Sequence, residues 1–504
     1  MKTFHLLFLG LTVSALAGRP SDGHGDAFGP LFNPVPHFAP SPRHGPTAGI
    51  DLVRRWNEIA INASGLDHTP VAPGENRVFG EQLGPCRAAR AMAIVHIAMF
   101  DAVNAVAGEY QSYTGVRAPN GPLSLPAAIS QSAHDTLVAL FPSQAAKFNL
   151  ALAQDLGTIN NKNAKVGGVD LGKRAATAIL ALRAGDGSQH NEPHVSLIAG
   201  LDQHVTSTLA GHWRQDPLSS IPLALGAYWG GSQPFVMQSG SQFRAPPPPA
   251  MESLAYATAF DEVKRLGGDS ISTQRTPDQT HMGIFWAYDG TPSLCAPPRL
   301  YNQIALQIAG QMKSSDIQVA RLLALVNVAM ADAGVAVWDS KYFYDFWRPI
   351  TGIRESDLGT GPSGSGDGNP DTLGDPNFRP LGAPASNLAG PNFTPPFPAY
   401  PSGHAGFGGA LFQTLRRFYG TDAIRFTFVS DEFNGLTRGN DGIVRPLLAR
   451  SFTSLSEAEE ENGQSRIYLG IHWSFDKTAG IAQGREVADY VFSRTFQPLQ
   501  RAGR

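Results

Sequence analysis

Three short stretches in the C-terminal half carry residues whose types and spacing suit anion chemistry. The first is Lys341-Tyr-Phe-Tyr-Asp-Phe-Trp-Arg348-Pro349. Lys341 and Arg348 are seven apart, about two helical turns, so on a helix both point the same way. Tyr342, Phe343, Tyr344, Phe346 and Trp347 lie between them and predict burial, and buried cations need an anion. The second is Pro401-Ser402-Gly403-His404-Ala405-Gly406-Phe407, at the head of a helical pattern that runs to Tyr419. Ser402 stands where an N-cap belongs, and Gly403 lets a ligand come close to the backbone. Free N–H groups at a helix start form an anion site, and His404 beside it would act as acid and base. The third is Ser465-Arg466-Ile-Tyr-Leu-Gly-Ile-His472-Trp-Ser-Phe-Asp476. His472 and Asp476 are four apart, on one helical face. A carboxylate on one imidazole nitrogen fixes the tautomer and makes the other nitrogen a better ligand or nucleophile. Arg466 adds a bidentate oxyanion donor. It lies six residues before His472, about 240° around an ideal helix, so the two converge only where the helix ends or bends. Gly470 allows that. Taken singly, these stretches also read as a cationic helix end or a capped helix with a surface histidine. Together they supply three cations, a hydroxyl, a helix-start amide and two histidines, which is a receptor for a tetrahedral oxyanion.

Such a receptor needs rigid elements to hold it. Apolar periodicity predicts helices at about 49–63, 84–106, 126–139, 144–157, 164–184, 252–266, 300–312, 316–345, 404–419, 455–469 and 476–495. Strand alternation is scarce, so the class is all-α with long loops. Residues 89–106 and 320–337 are identical at ten of eighteen positions without a gap. Trp56-Asn57-Glu58-Ile59-Ala60 matches Tyr301-Asn302-Gln303-Ile304-Ala305 upstream in the same order. Two matches in order predict an internal duplication and two packed four-helix-type bundles, 18–250 and 251–504, with Arg244 to Pro249 as punctuation. The first copy lacks an Arg-Pro partner and reads as scaffold. Its His96 reads as a satisfied core histidine.

The chain has 504 residues, 16% of them charged, and a net charge of −3. That excludes intrinsic disorder and offers no basic surplus for nucleic acid. Lys2, the apolar stretch Phe4–Ala17 and Ala15-Leu16-Ala17 read as a signal peptide over 1–17, hence a secreted protein, with a net charge of −4 after cleavage. The apolar runs 91–107 and 322–338 contain Asp101 and Asp332 and read as buried helices, not membrane spans. Cys86 and Cys295 are the only cysteines, and spacing leaves their pairing open. Asn62-Ala63-Ser64 and Asn392-Phe393-Thr394 fit the glycosylation pattern. Asp367, Asp371 and Asp375 lie in the Gly/Pro-rich segment 351–400, without calcium-loop spacing. His190-Asn191-Glu192-Pro193-His194 superficially resembles a zinc helix, but Pro193 breaks it and the glutamate is misplaced.

The set K-x6-R-P, P-S-G-H and S-R-x5-H-x3-D, in that order, resembles the signature shared by type 2 phosphatidic acid phosphatases and vanadium-dependent haloperoxidases. Arg90 to Val106, Phe243-Arg244-Ala245-Pro246 and Phe285 to Gly290 resemble the secreted haloperoxidase branch. So do the 51 and 60 residues that separate the motifs. The resemblance implies a vanadate cofactor and no haem, with hydrogen peroxide, a halide and a small organic acceptor as partners. It implies that Lys341, Arg348 and Arg466 offset the oxyanion charge, that Ser402 and Gly403 add hydrogen bonds, and that His472 ligates vanadium. His404 then moves protons, and Lys341 polarises the peroxide. Trp338, on the face of Lys341, and Phe397, five before Ser402, imply a halide pocket of the chloride-oxidising type. Core packing is the alternative for both rings. Asp476 would orient His472, and Asp289 would pair with an arginine. The rival reading is a secreted acid phosphatase, with His472 as nucleophile and His404 as acid.

Overall fold

The computed structural model describes residues 24–34, 52–271 and 273–499. The signal segment 1–17 and the chain end lie outside the described residues. Among those described there are fourteen α-helices. The first six are α1 (His24–Phe28), α2 (Leu52–Asp67), α3 (Gly84–Ala107), α4 (Leu125–Leu140), α5 (Ala145–Gly157) and α6 (Lys162–Leu182). After a long irregular stretch come α7 (Leu254–Leu266), α8 (Pro277–Phe285), α9 (Pro297–Gln311) and α10 (Asp316–Tyr344). The last four are α11 (Pro349–Glu355), α12 (Gly403–Tyr419), α13 (Leu455–Tyr468) and α14 (Ser474–Arg494). Among the described residues strands occur only as pairs: β1 (Asn33–Pro34) with β4 (Leu388–Ala389), β2 (His194–Ser196) with β3 (Gln203–Val205), and β5 (Phe426–Asn434) with β6 (Leu447–Phe452). The β2–β3 pair is parallel and the other two are antiparallel.

The eleven periodic segments all become helices. Periodicity does not reveal α8, α11 or the β5–β6 ribbon. Both helices are short and start on a proline, with too few turns to show a period.

Local signals set the boundaries of the long helices. Helix α3 starts with Pro85 in its first turn and stops at Gly108, whose φ of 64° is left-handed. Helix α10 begins where Gln318 Oε1 accepts the Ser315 N–H, and it runs on to Asp345. Ser402 caps α12, its hydroxyl facing the Ala405 N–H at 3.5 Å.

The two apolar helices of membrane length, α3 and α10, lie side by side inside the protein. One apolar core runs from Val53 to Phe496 and takes side chains from both halves of the chain. At its centre the Asn57 amide meets His96 Nε2 at 2.9 Å. The Asn327 amide lies 3.2 Å from His96 Nδ1 and exchanges two 2.8 Å hydrogen bonds with Asn302. Asp101 and Asp332, at matching positions of the repeat, are both fully buried and each fastens a loop. Asp101 accepts from the amides of Tyr113 and Thr114, and Asp332 from those of Phe235, Val236 and Met237.

Helix α10 also packs on α12, which carries Gly403 and His404, and on α14, which carries Asp476. Helices α12 and α14 approach closely at Gly484, where an added Cβ would collide with the Gly406 carbonyl oxygen.

Cys86 and Cys295 are free and buried. Both glycosylation patterns are engaged internally. Asn62 Oδ1 accepts from Arg299, and Asn392 bonds the backbone of Leu381 and Ala385. Asp367 is occupied by Thr372 and the Asn369 amide, and no metal-type cluster of three acids, histidines or cysteines occurs among the described residues.

Candidate active site

The site forms where the end of α10, the start of α12 and the turn between α13 and α14 meet. Lys341 lies in the last turn of α10 and has no exposure. Arg348 does not share that helix, contrary to the two-turn reading. Asp345, at φ 50°, ends α10, and Arg348 becomes the N-cap of α11. The chain reversal still brings both cations beside one pocket, Lys341 next to Gly403 and Arg348 next to His472. Lys341 Nζ donates to the carbonyls of Pro398 and Ala399 at 2.7 and 2.9 Å. An ammonium has three N–H groups, so one is left. Arg348 donates to the Phe397 and Ile471 carbonyls at 2.9 and 2.8 Å, and its Nη1 reaches His472 Nε2 at 3.0 Å.

His472 and Asp476 also meet by a route other than the expected helical face. Helix α13 stops at Tyr468 and Gly470 turns at φ 71°, so His472 stands in the link, before α14 begins. Asp476, in the first turn of α14, reaches back to accept the Trp473 N–H at 3.0 Å and the His472 Nδ1–H at 2.8 Å. That assignment leaves the lone pair of His472 on Nε2, aimed at the arginine. The break at Gly470 is also what lets Arg466 and His472 face one space.

Arg466 is 1% exposed. Its Nη2 donates to Asp289 Oδ1 at 2.5 Å, while Nε and Nη1 are buried without a hydrogen-bond partner. His404 gives Nε2–H to the Ala287 carbonyl and keeps Nδ1 open, 3.9 Å from Asp289 Oδ1. Ser402 and Gly403 open α12, whose first-turn N–H groups point out of the helix start. Trp338 and Phe397 pack with ring centroids 4.9 Å apart. Lys341 Nζ lies 5.7 Å from the Trp338 ring centre and 5.0 Å from that of Phe397.

The electrostatics follow from burying so many cations together. Burial, then the neighbouring Arg348, holds the Lys341 ammonium well below its ordinary range. Burial pulls Arg348 down to about 9. Burial and the surrounding cations likewise hold His404 and His472 well below the usual imidazole value, so both rings are neutral. Burial raises Asp476 to about 7 against the pull of Lys341. An anion in this space would relieve the cation repulsion and supply the acceptor that Arg466 lacks. The pocket is about 60 Å³, and Asp289, Trp338, Phe397, Gly403, His404, Arg466 and His472 line it. That holds a few water-sized groups.

A family model described as the VCPO second helical-bundle domain matches residues 321–501. The chain is 32% identical to a vanadium chloroperoxidase of Curvularia inaequalis over 84% of its own length and 78% of the relative's. The chain belongs to the vanadium haloperoxidase family. Two solved structures share the family fold. One is a bacterial vanadium-dependent iodoperoxidase, 21% identical, covering 90% of this chain and 99% of that one at a TM-score of 0.68. The other is a holo-type bacterial vanadium-dependent chloroperoxidase, 16% identical, covering 88% and 98% at a TM-score of 0.60.

Two features of this family member carry no sequence signal. The N-terminal part reads as scaffold, yet Phe28, His68, Leu83, Leu223 and Leu225 wall the pocket. His68 is buried, giving Nδ1–H to Ser64 O and accepting the Gly84 N–H on Nε2. No periodic or motif pattern marks these residues; only tertiary packing brings them in. Second, Glu432 lies buried within electrostatic reach of Asp289, paired with Arg445 and raised to about 7 by burial. It sits on the ribbon that periodicity does not reveal.

Proposed function

We propose that this protein is a vanadate-dependent haloperoxidase that oxidises a halide with hydrogen peroxide to hypohalous acid, which then halogenates small organic acceptors. The observation that carries this reading is Arg466. A buried guanidinium with two unpartnered N–H positions, beside Lys341 and Arg348, calls for an oxyanion. Membership of the vanadium haloperoxidase family supports vanadate as that anion. Its fit rests on the donors present: Lys341, Arg348 and Arg466 for the charge, Ser402 and the Gly403 amide for hydrogen bonds, and His472 Nε2 as the ligand atom. When bound, vanadate supplies a Lewis acid that activates peroxide toward halide.

The chain's own residues do the rest. Asp476 holds the His472 ring with its proton on Nδ1, so Nε2 stays available. His404 is fixed by the Ala287 carbonyl and offers Nδ1 as a base. An anion that offsets the Arg466 charge raises the proton affinity of this ring, so the neutral imidazole can take up a proton, and it gives the proton back when that anion's charge is lost. Asp289 keeps Arg466 oriented across the pocket. The N–H that Lys341 does not give to Pro398 and Ala399 would be available to an oxygen of the bound oxyanion. The apolar walls exclude water, which strengthens each of these interactions.

Trp338 and Phe397 support chloride as a substrate, since a dry aromatic pocket beside Lys341 compensates a small anion for lost hydration. The relatives include both a chloroperoxidase and an iodoperoxidase, so the halide is part of the proposal. We also read the chain as two duplicated helical units, 18–250 and 251–504, supported by the repeat and by the matched positions of Asp101 and Asp332. Secretion is proposed from residues 2–17 alone.

The test is halogenation of a dione indicator with orthovanadate, peroxide and each halide in turn, beside nitrophenyl phosphate without peroxide. Vanadate-dependent halogenation, with chloride accepted, is the expected result. Phosphate ester hydrolysis without halogenation would make the protein an acid phosphatase on the same scaffold.

A further inference from the structure

The stretch His190-Asn191-Glu192-Pro193-His194 has no part in the chemistry above, and it forms no helix or metal site. Its first four residues lie in the loop ahead of β2, and His194 is the first residue of that strand. Its Glu192 side chain is 8% exposed and pairs with Arg87 of α3. Arg87 is itself held, donating to the His190 carbonyl at 2.5 Å and lying over the Trp229 ring. The other carboxylate oxygen, Glu192 Oε2, accepts the Gly226 N–H at 2.5 Å.

Gly226 is where this network touches the pocket. Its φ is 79°, and a Cβ there would collide with Trp338 Nε1, so the turn rests on the edge of the indole. The preceding residue, Leu225, ties the two aromatic walls together. Its carbonyl accepts the Trp338 indole N–H and the Tyr342 hydroxyl, each at 3.0 Å. Its N–H donates to the Pro396 carbonyl at 2.9 Å, one residue before Phe397. One two-residue turn therefore links the chain segments carrying Trp338 and Phe397, and Glu192 anchors that turn from outside the pocket.

We propose that Glu192 is a positioning residue for halide selection: through the Leu225–Gly226 turn it sets the gap between Trp338 and Phe397. This rests on the reading of those two rings as the halide pocket. Halide ions differ in radius and in hydration cost. A tight aromatic gap therefore favours chloride, and a loosened one loses chloride before iodide.

The test uses the full chain with two readouts. The first is the ratio of kcat/KM for chloride over iodide in vanadate-loaded protein. Glu192→Ala lowers it about five- to tenfold. Glu192→Gln, which keeps an acceptor for Gly226, restores most of it. The second is the 19F resonance of Trp338 in vanadate-free protein labelled with 5-fluorotryptophan, assigned through Trp338→Phe. Glu192→Ala moves this resonance and Glu192→Gln leaves it near its original place. A chloride-to-iodide ratio within threefold of wild type, including an equal loss for both halides, overturns the proposal. So does an unmoved resonance. Trp338→Ala serves as the control. If it leaves the ratio unchanged, the halide-pocket reading itself fails; if it shifts the ratio while Glu192→Ala does not, only the Glu192 role fails. Should Glu192→Ala not accumulate, Glu192→Asp, which withdraws the carboxylate by one methylene, gives the same two readings.

Discussion

Helices α3 and α10 share ten of eighteen aligned residues, pack side by side, and do different work. Aligned on the matching stretches, Gly108 stands opposite Asp339, and Tyr110 opposite Lys341. Gly108 takes a left-handed conformation and ends α3. Asp339 is helical, so α10 runs on to Tyr344 and carries Lys341 into the pocket. Arg348 and the P-S-G-H and S-R-x5-H-x3-D motifs have no equivalents in the first half. The shared part of the two helices makes core, and the unshared extension makes the site. A shared helix-packing surface therefore says little about where chemistry sits; the residues beyond the last shared turn decide it.

The largest expected effect breaks the comparison at Lys341. Lys341→Ala should lower peroxidase kcat by about 10²–10³-fold, the scale of losing one transition-state donor. Tyr110→Phe, at the matching position, should leave kcat within about twofold. Steady-state assays check both, and equal losses would mean that the extension of α10 has no special role.

The second test addresses the shared part. Asp101→Asn and Asp332→Asn should each destabilise the protein by about 2–4 kcal/mol, because each leaves buried loop amides without a full acceptor. Denaturant unfolding measures both. Near-equal losses support a common ancestry of the two positions, and a loss at only one would break it.

The third uses one of the eight differences in the shared part, His96 against Asn327. Burial lowers His96 to about 4. The folded state therefore keeps the ring neutral while the unfolded chain takes up a proton below about 6.5. Stability from this group is present above pH ~6.5 and is lost as pH falls toward ~4, by about 2–3 kcal/mol. His96→Asn, which copies the second half, should remove that acid sensitivity. Unfolding curves at pH 7, 5.5 and 4.5 check it, and parallel losses in both proteins would contradict it.

The smallest effect is expected at Gly108. An added Cβ there meets nothing within 4 Å, so Gly108→Ala should cost only the left-handed backbone term, about 1 kcal/mol.

Much of this architecture is legible in the amino-acid sequence. The long helices announce themselves by period and caps, and all eleven residues singled out for the site come together. What is not legible is the route by which they meet. Lys341–Arg348 and His472–Asp476 read as helical spacings, yet in both pairs one member lies outside the helix, beyond Asp345 and beyond Gly470. A left-handed aspartate gives no sequence signal, and a glycine after a helix marks a stop without saying where the chain turns next. The walls from His68, Leu83 and Leu225 are invisible for a different reason. Long-range packing places them, and nothing local marks them.

Under the proposed function, the three C-terminal motifs build one vanadate pocket with His472 as the ligand. Calorimetric titration of vanadate into the protein and into His472→Ala, with halide oxidation measured on the same samples, tests it most directly. The account predicts one vanadate per wild-type chain, with activity rising in step with occupancy. It also predicts weakened binding and no halide oxidation in the variant. Full halide oxidation by His472→Ala, or wild-type activity that does not depend on vanadate, would contradict it.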